Sequence, residues 1–106
     1  MQAFDIKKGH FKTIEGDKLK ELMEDFFGEA EEIDGKLQTS FGALQRLAVW
    51  TDGKVLFVDT EMQQGVDDTT ALKTIRAYNT FMERATGFTS KQRRDRLQKK
   101  AKKGQT

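Results

Sequence analysis

Along Leu44 to Thr60 the chain reads LQRLAVWTDGKVLFVDT, two runs of β-branched and aromatic residues on either side of Asp52-Gly53. That dipeptide readily supplies the two positive-φ positions of a type I′ turn, so the pattern predicts a β-hairpin. With Asp52 and Gly53 as the turn, Thr51 faces Lys54, and Val49/Leu56, Leu47/Val58 and Gln45/Thr60 share one side of the sheet. Trp50/Val55, Ala48/Phe57 and Arg46/Asp59 share the other. The first side reads as a core face. The second combines an aromatic cluster with a cross-strand ion pair.

The remaining elements follow from the same periodicities. Gln2 to Lys7 alternates as a short strand with Phe4 and Ile6 on one side, ended by Gly9-His10. Leu19, Leu22, Met23, Phe26 and Phe27 recur at helical spacing after Asp17, and Gly28 sits where a left-handed residue would stop that helix. Glu29 to Ile33 and Lys36 to Phe41 flank a second Asp-Gly turn, with Leu37, Thr39 and Phe41 inward and an acidic first arm suited to a sheet edge. Gly42-Ala43 turns the chain into the central hairpin. After Gln63-Gln64-Gly65, a second helix carries Asp67 and Asp68 at its positive end and a stripe of Ala71, Ile75, Tyr78, Met82 and Ala85, widened by Leu72 and Phe81. Gly87 is its expected stop, with Phe88 folding back. Thr89 and Gln92 have the spacing of a capping box, which opens a third, basic helix with only Leu97 and Ala101 as apolar residues; fraying is expected after about Gln98.

An antiparallel sheet with both amphipathic helices on one face buries these stripes in two layers. The sequence therefore predicts an α+β two-layer sandwich, order β-α-β-β-β-β-α, over residues 1–88, followed by a basic C-terminal helix and tail over 89–106. The sheet side that holds Trp50, Val55, Phe57 and Ala48 is then covered by neither main helix.

Composition narrows the chemistry. The 106 residues contain no cysteine and one histidine, His10, so neither a disulfide framework nor a cysteine or multi-histidine metal site can form. The longest apolar runs, Leu47 to Trp50 and Val55 to Val58, fall far short of the roughly 20 residues of a membrane span. MQAFDIKKGH lacks a signal-peptide core, and a cytoplasmic protein is expected. The net charge of +2 conceals a split: residues 87–106 hold eight Lys/Arg and one Asp, and residues 1–86 eleven and sixteen, leaving +7 and −5. A basic tail can attract a polyanion that the acidic body would repel.

Two candidate sites emerge. The first is the open sheet face of Arg46, Ala48, Trp50, Val55 and Phe57. Its occupant can be the C-terminal helix, a second subunit or protein partner, or unpaired RNA or DNA bases stacked on the aromatic rings, although the RNP signatures of an RRM are absent. The second is the basic set Lys91, Arg93, Arg94, Arg96, Lys99 and Lys100, which can neutralise phosphates or simply keep the tail solvated. The acids Glu29, Glu31, Glu32 and Asp34, and the pair Asp67-Asp68, lack the spacing of a calcium loop. No Walker or dinucleotide glycine motif is present, and His10 has no nucleophile at a recognisable spacing, so no catalytic or cofactor residues are assigned. The reading is a non-catalytic adaptor or self-associating protein, with a nucleic-acid accessory protein as the alternative.

ALKTIRAYNTFMERATGFTSKQRRDRL, together with SFGAL and the TDGK turn, resembles a small family of uncharacterised archaeal proteins of about this length, known only as a domain of unknown function. The resemblance covers Phe41 to Leu97. It implies an archaeal cytoplasmic origin, is compatible with the two-layer order above, and supplies no activity and no functional residues.

Overall fold

The computed structural model describes residues 2–103, with side chains described as far as Lys99. In chain order the elements are β1 (Gln2–Asp5), α1 (Lys18–Phe27), β2 (Glu31–Ile33), β3 (Lys36–Phe41), β4 (Leu44–Thr51), β5 (Val55–Met62), α2 (Asp68–Thr86) and α3 (Ser90–Lys103). The strands form one antiparallel sheet in the order β1-β5-β4-β3-β2. This is the α+β arrangement that the pattern predicts. A short 3-10 turn at Phe11–Thr13, not anticipated, links β1 to α1.

The core lies between the sheet and α1 and α2. Phe4, Leu47, Val49, Leu56 and Val58 from the strands meet Leu19, Met23 and Phe27 of α1 and Phe81, Met82 and Ala85 of α2. Phe27 of α1 joins β3 and α2, with its ring 5.5 Å from that of Phe41 and 5.2 Å from that of Phe81.

The central hairpin differs from the expected register. Observed pairs are Thr51↔Leu56, Trp50↔Phe57, Val49↔Val58, Ala48↔Asp59 and Leu47↔Thr60, with an irregularity between Leu44 and Arg46. A type I′ turn needs positive φ at both central residues, and among the described non-glycine residues only Asp34 has it. Asp52 instead acts through its side chain: Oδ1 accepts the N–H groups of Lys54 (2.8 Å) and Val55 (3.1 Å), while the Thr51 hydroxyl donates to the Val55 carbonyl at 2.7 Å. This Asx turn lengthens the connection. Each residue of β4 consequently meets a partner two positions further along β5, and a slip of two preserves which residues face the core. Leu47, Val49 and Leu56 are fully buried against the helices, and Trp50 and Phe57 point away from them.

The other turns use their glycines as predicted. Asp34 (φ 53) and Gly35 (φ 79) both take the positive φ of a type I′ turn. Gly42 (φ 51) occupies a second tight turn pressed against α2, where the Thr74 hydroxyl accepts the Ala43 N–H at 2.8 Å and a Cβ on Gly42 would collide with that hydroxyl.

This approach rotates α2 relative to the predicted stripe. Thr74 is buried, whereas Leu72 and Ile75, expected to face the core, are 54% and 49% exposed. The helix ends as expected at Gly87, whose N–H donates to the Glu83 carbonyl. Phe88 departs from the Schellman pattern: its N–H donates to the Thr86 hydroxyl. The capping box forms reciprocally, Thr89 N–H to Gln92 Oε1 at 2.9 Å and Gln92 N–H to Thr89 Oγ1 at 3.2 Å. Helix α3 continues to Lys103 rather than fraying after Gln98, consistent with a run of straight-chain residues and alanine anchored at Arg93 and Leu97.

Candidate functional site

The side of the sheet opposite α1 and α2 is organised as cross-strand rows. Register places Ile33, Lys36, Trp50, Phe57 and Ala3 in one row across all five strands. Trp50 and Phe57 are directly opposed, with ring centroids 5.5 Å apart and planes 18° from parallel. Lys36 completes the stack, its Nζ 4.4 Å from the Trp50 ring centroid. The next row holds Glu31, Gln38, Ala48 and Asp59. Beyond it, the Arg46 guanidinium lies 3.1 Å from Asp59 and 3.5 Å from Glu61, with Gln38 accepting from its Nε.

The sequence-predicted face is thus assembled on one surface, but its five residues are not equally available. Ala48 is 0% exposed. Trp50, Val55, Phe57 and Arg46 are half-buried. The rows add Lys36, Ile33 and Ala3, which sequence reasoning left out. The signal for two of them was present: Ile33 and Lys36 flank the two-residue Asp34-Gly35 turn and so must pair, on the side opposite Leu37. Lys36 and Arg46 share the face with Glu31, Asp59 and Glu61. The surface is therefore mixed in sign, not the cationic groove on which an unpaired polyanion would run.

Helix α3 does not cross this face. It packs along β1 and beside α2, where Leu97 joins the core and Phe88 lies half-buried near Phe4. The six candidate phosphate ligands separate accordingly. Arg93 is 6% exposed and donates to the Phe88 carbonyl at 2.7 Å and to Asn79 Oδ1 at 3.1 Å. Burial pushes its guanidinium pKa below the ordinary arginine range. Arg96 donates to Asp5 at 2.8 Å and stacks over the Phe88 ring at 4.6 Å. Lys91, Arg94 and Lys99 are exposed. Lys100 falls within the helix, and its side chain lies outside the described residues.

His10 has a structural tie. Its Nε2 lies 2.6 Å from the Arg84 carbonyl, which can only accept, so Nε2 carries the proton and helps satisfy the last turn of α2. Its ring also underlies Gly87, where a Cβ would come within 3.0 Å. Among the described residues no three His, Asp or Glu side chains are grouped so as to hold a metal ion. The larger concavities are open surface features: one of about 470 Å³ between Glu29, Gln38, Ser40 and Arg46, one of about 230 Å³ between Glu15, Leu37 and Trp50, and one of about 230 Å³ between α2 and β5. No described helix is long and apolar enough to cross a membrane.

Comparisons with known proteins agree with this architecture and carry no chemistry. A family model described as "Domain of unknown function (DUF5611)" matches residues 1–99. Among solved structures, the NMR solution structure of a hypothetical protein from Thermoplasma acidophilum superposes with a TM-score of 0.67 at 26% sequence identity, covering 92% of this chain and 97% of that one. No curated protein matches the sequence.

Proposed function

Because the chain belongs to the DUF5611 family, a domain of unknown function, we propose on geometric grounds that it is a non-catalytic association module, and that it buries the open side of its sheet against a second copy of itself. The observation that carries this reading is the Ile33–Lys36–Trp50–Phe57–Ala3 row, which lies opposite both core helices and is bordered by α3 along β1, where Arg96 reaches Asp5. A row of aromatic and aliphatic side chains that includes Lys36 and is bordered by charges of both signs suits a sheet of the same kind turned over on it. A two-fold axis along β4 lays β3 of one copy over β5 of the other, so Lys36 meets Phe57 and Asp59 across the interface. Lys36 of one copy then gains Asp59 of the other as a partner, while Arg46, on the axis, keeps the Asp59 and Glu61 of its own chain.

Trp50 is the only tryptophan in the chain and reports directly on this face. Light scattering over a concentration series is expected to show a monomer–dimer equilibrium, with acrylamide quenching of Trp50 falling as the dimer forms. Lys36→Glu and Phe57→Lys should each shift the equilibrium toward monomer. A constant monomer mass into the millimolar range, with unchanged quenching, would overturn the proposal. The same outcome, combined with binding of single-stranded RNA that weakens with salt and depends on Lys91, Arg94 and Lys99, would favour the nucleic-acid reading instead.

A further inference from the structure

The order of the strands separates the two signs of charge. Residues 15–34, which span α1 and β2, hold nine carboxylates and two lysines, a net charge of −7, and they occupy the β2 side of the sandwich, where α1 lies against β3. Residues 87–106 carry +7, and α3 lies along β1 at the opposite side. Gly87 sits beside Lys7 and Arg96 reaches Asp5, so α3 runs back along β1 toward Gln2. One edge of the molecule is therefore acidic and the other basic. Glu29, Glu31 and Glu32 are exposed on the first, and Lys91, Arg94 and Lys99 on the second.

Edges of opposite charge attract over a distance set by the ionic strength, and the position of β4 decides how a second copy can satisfy both. β4 is the middle strand of the order β1-β5-β4-β3-β2. A half-turn about an axis along it carries β1 of one copy over β2 of the other, and β2 over β1, while levels along the strands are kept. Ile33 of β2 and Ala3 of β1 end the same cross-strand row, so the acids around Ile33 come to the level of the partner's Ala3. Lys99, one turn beyond Arg96 toward Gln2, approaches that level too. Face-to-face association thus sets a basic edge over an acidic edge twice. A half-turn about an axis across the strands would instead set β2 over β2 and α3 over α3, like charge on like.

Resting on the self-association reading, we infer that α3 is the counter-charged partner of the β2 arm in a second copy of this chain. Lys91, Arg94 and Lys99 of one copy attract Glu29, Glu31 and Glu32 of the other, and so select the half-turn along β4 over the half-turn across it. The aromatic row supplies the buried surface; the two edges supply orientation and speed of encounter. Side-by-side pairing of a basic edge with an acidic one would also join unlike charges, but it leaves one edge of each sign free and continues into an open chain.

The test compares two full-length variants at about 10 mM ionic strength, where charges act over about 30 Å. One carries Glu29→Lys, Glu31→Lys and Glu32→Lys; the other carries Lys91→Glu, Arg94→Glu and Lys99→Glu, all at exposed positions. Alone, each should dimerise about tenfold or more weakly than the parent chain, because like charges then meet at both edges. Mixed in equal amounts they should form a heterodimer about as tight as the parent, since both edge contacts are again between unlike charges, and about 0.5 M salt should remove the difference. The milder pair Glu31→Lys and Lys99→Glu should show the same pattern at smaller amplitude. Sedimentation equilibrium reads the mass and acrylamide quenching of Trp50 reads the face. The inference alone is overturned if the variants dimerise like the parent while Lys36→Glu and Phe57→Lys still disrupt the dimer, if both mixtures stay as weak as their components, or if the mass grows beyond a dimer. A parent chain that stays monomeric overturns the inference and the self-association reading together.

Discussion

Arg93→Ala tests whether the basic helix is anchored or merely attached. The guanidinium donates to two neutral acceptors, the Phe88 carbonyl and Asn79 Oδ1, from a site almost closed to water. Hydrogen bonds from a charged donor contribute roughly 1.5 to 3 kcal/mol each; truncation recovers the cost of desolvating the cation and lets water reach part of each acceptor, so a net loss of about 2 to 3 kcal/mol is expected. Against the 5 to 15 kcal/mol typical of a domain, that is a large fraction. Urea unfolding followed by far-UV circular dichroism measures it, with Lys91→Ala and Arg94→Ala as controls expected to stay within about 0.5 kcal/mol. Arg93→Lys should recover only part of the loss, since an ammonium lacks the planar fork that reaches both acceptors. Most of the deficit should persist in high salt, because neither hydrogen-bond acceptor is an ion and only the added attraction of Glu83 is screened. A loss no greater than that of the controls, or one that disappears with added salt, would refute the assignment.

Three further outcomes are expected. Leu47→Ala should cost about 2 to 5 kcal/mol in the same assay and Trp50→Ala clearly less, since Leu47 is fully buried and Trp50 half-buried on the opposite side; the reverse order would mean that the two faces are assigned the wrong way round. Gly42→Ala should destabilise more than Gly53→Ala, by about 1 to 3 kcal/mol in total, because both glycines have positive φ but only at Gly42 does the new methyl meet Thr74. Asp52 and Asp67 are held below the ordinary carboxylate value of 3.8, Asp52 chiefly by the Lys54 N–H and Asp67 chiefly by the Thr70 hydroxyl. Their contribution is complete above that value and is lost as pH falls from it through the lowered folded pKa. Urea midpoints measured across that acid limb should therefore fall less steeply in the Asp52→Asn, Asp67→Asn double variant than in the parent chain.

What the sequence concealed has identifiable causes. Strand number, the chain order of the elements and most inward residues of the sheet were legible because alternation is insensitive to a slip of two, although Gln45, expected inward, is exposed at the irregularity where Leu44 is buried instead; the capping box at Thr89 and Gln92 was legible because it is local. The orientation of α2 was not. Its apolar residues span more than one face, and the choice between Thr74 and Ile75 depends on the close approach of Gly42, a contact thirty-two positions away in the chain. Arg93 was hidden for a similar reason: within a run of like charges, only the Asn79 and Phe88 acceptors distinguish it from Arg94. The open face was read as an aromatic cluster beside a cross-strand ion pair, and Lys36 was overlooked because its partner across the sheet, Trp50, is reached only through the β3–β4 pairing.

The even-numbered offset of the central hairpin has a bearing on how the chain reaches its native state. The tight-turn pairing and the observed one send the same aliphatic residues inward, so an early zipper closed at Asp52-Gly53 would collapse into an acceptable core and resist detection by backbone spectroscopy. It differs on the outer side, where Trp50 would rest beside Val55 and stack on Phe57 only after the strands ratchet past one another. If that pairing is populated during refolding, indole emission matures later than the far-ultraviolet signal; coincident single-exponential signals would show that it is not.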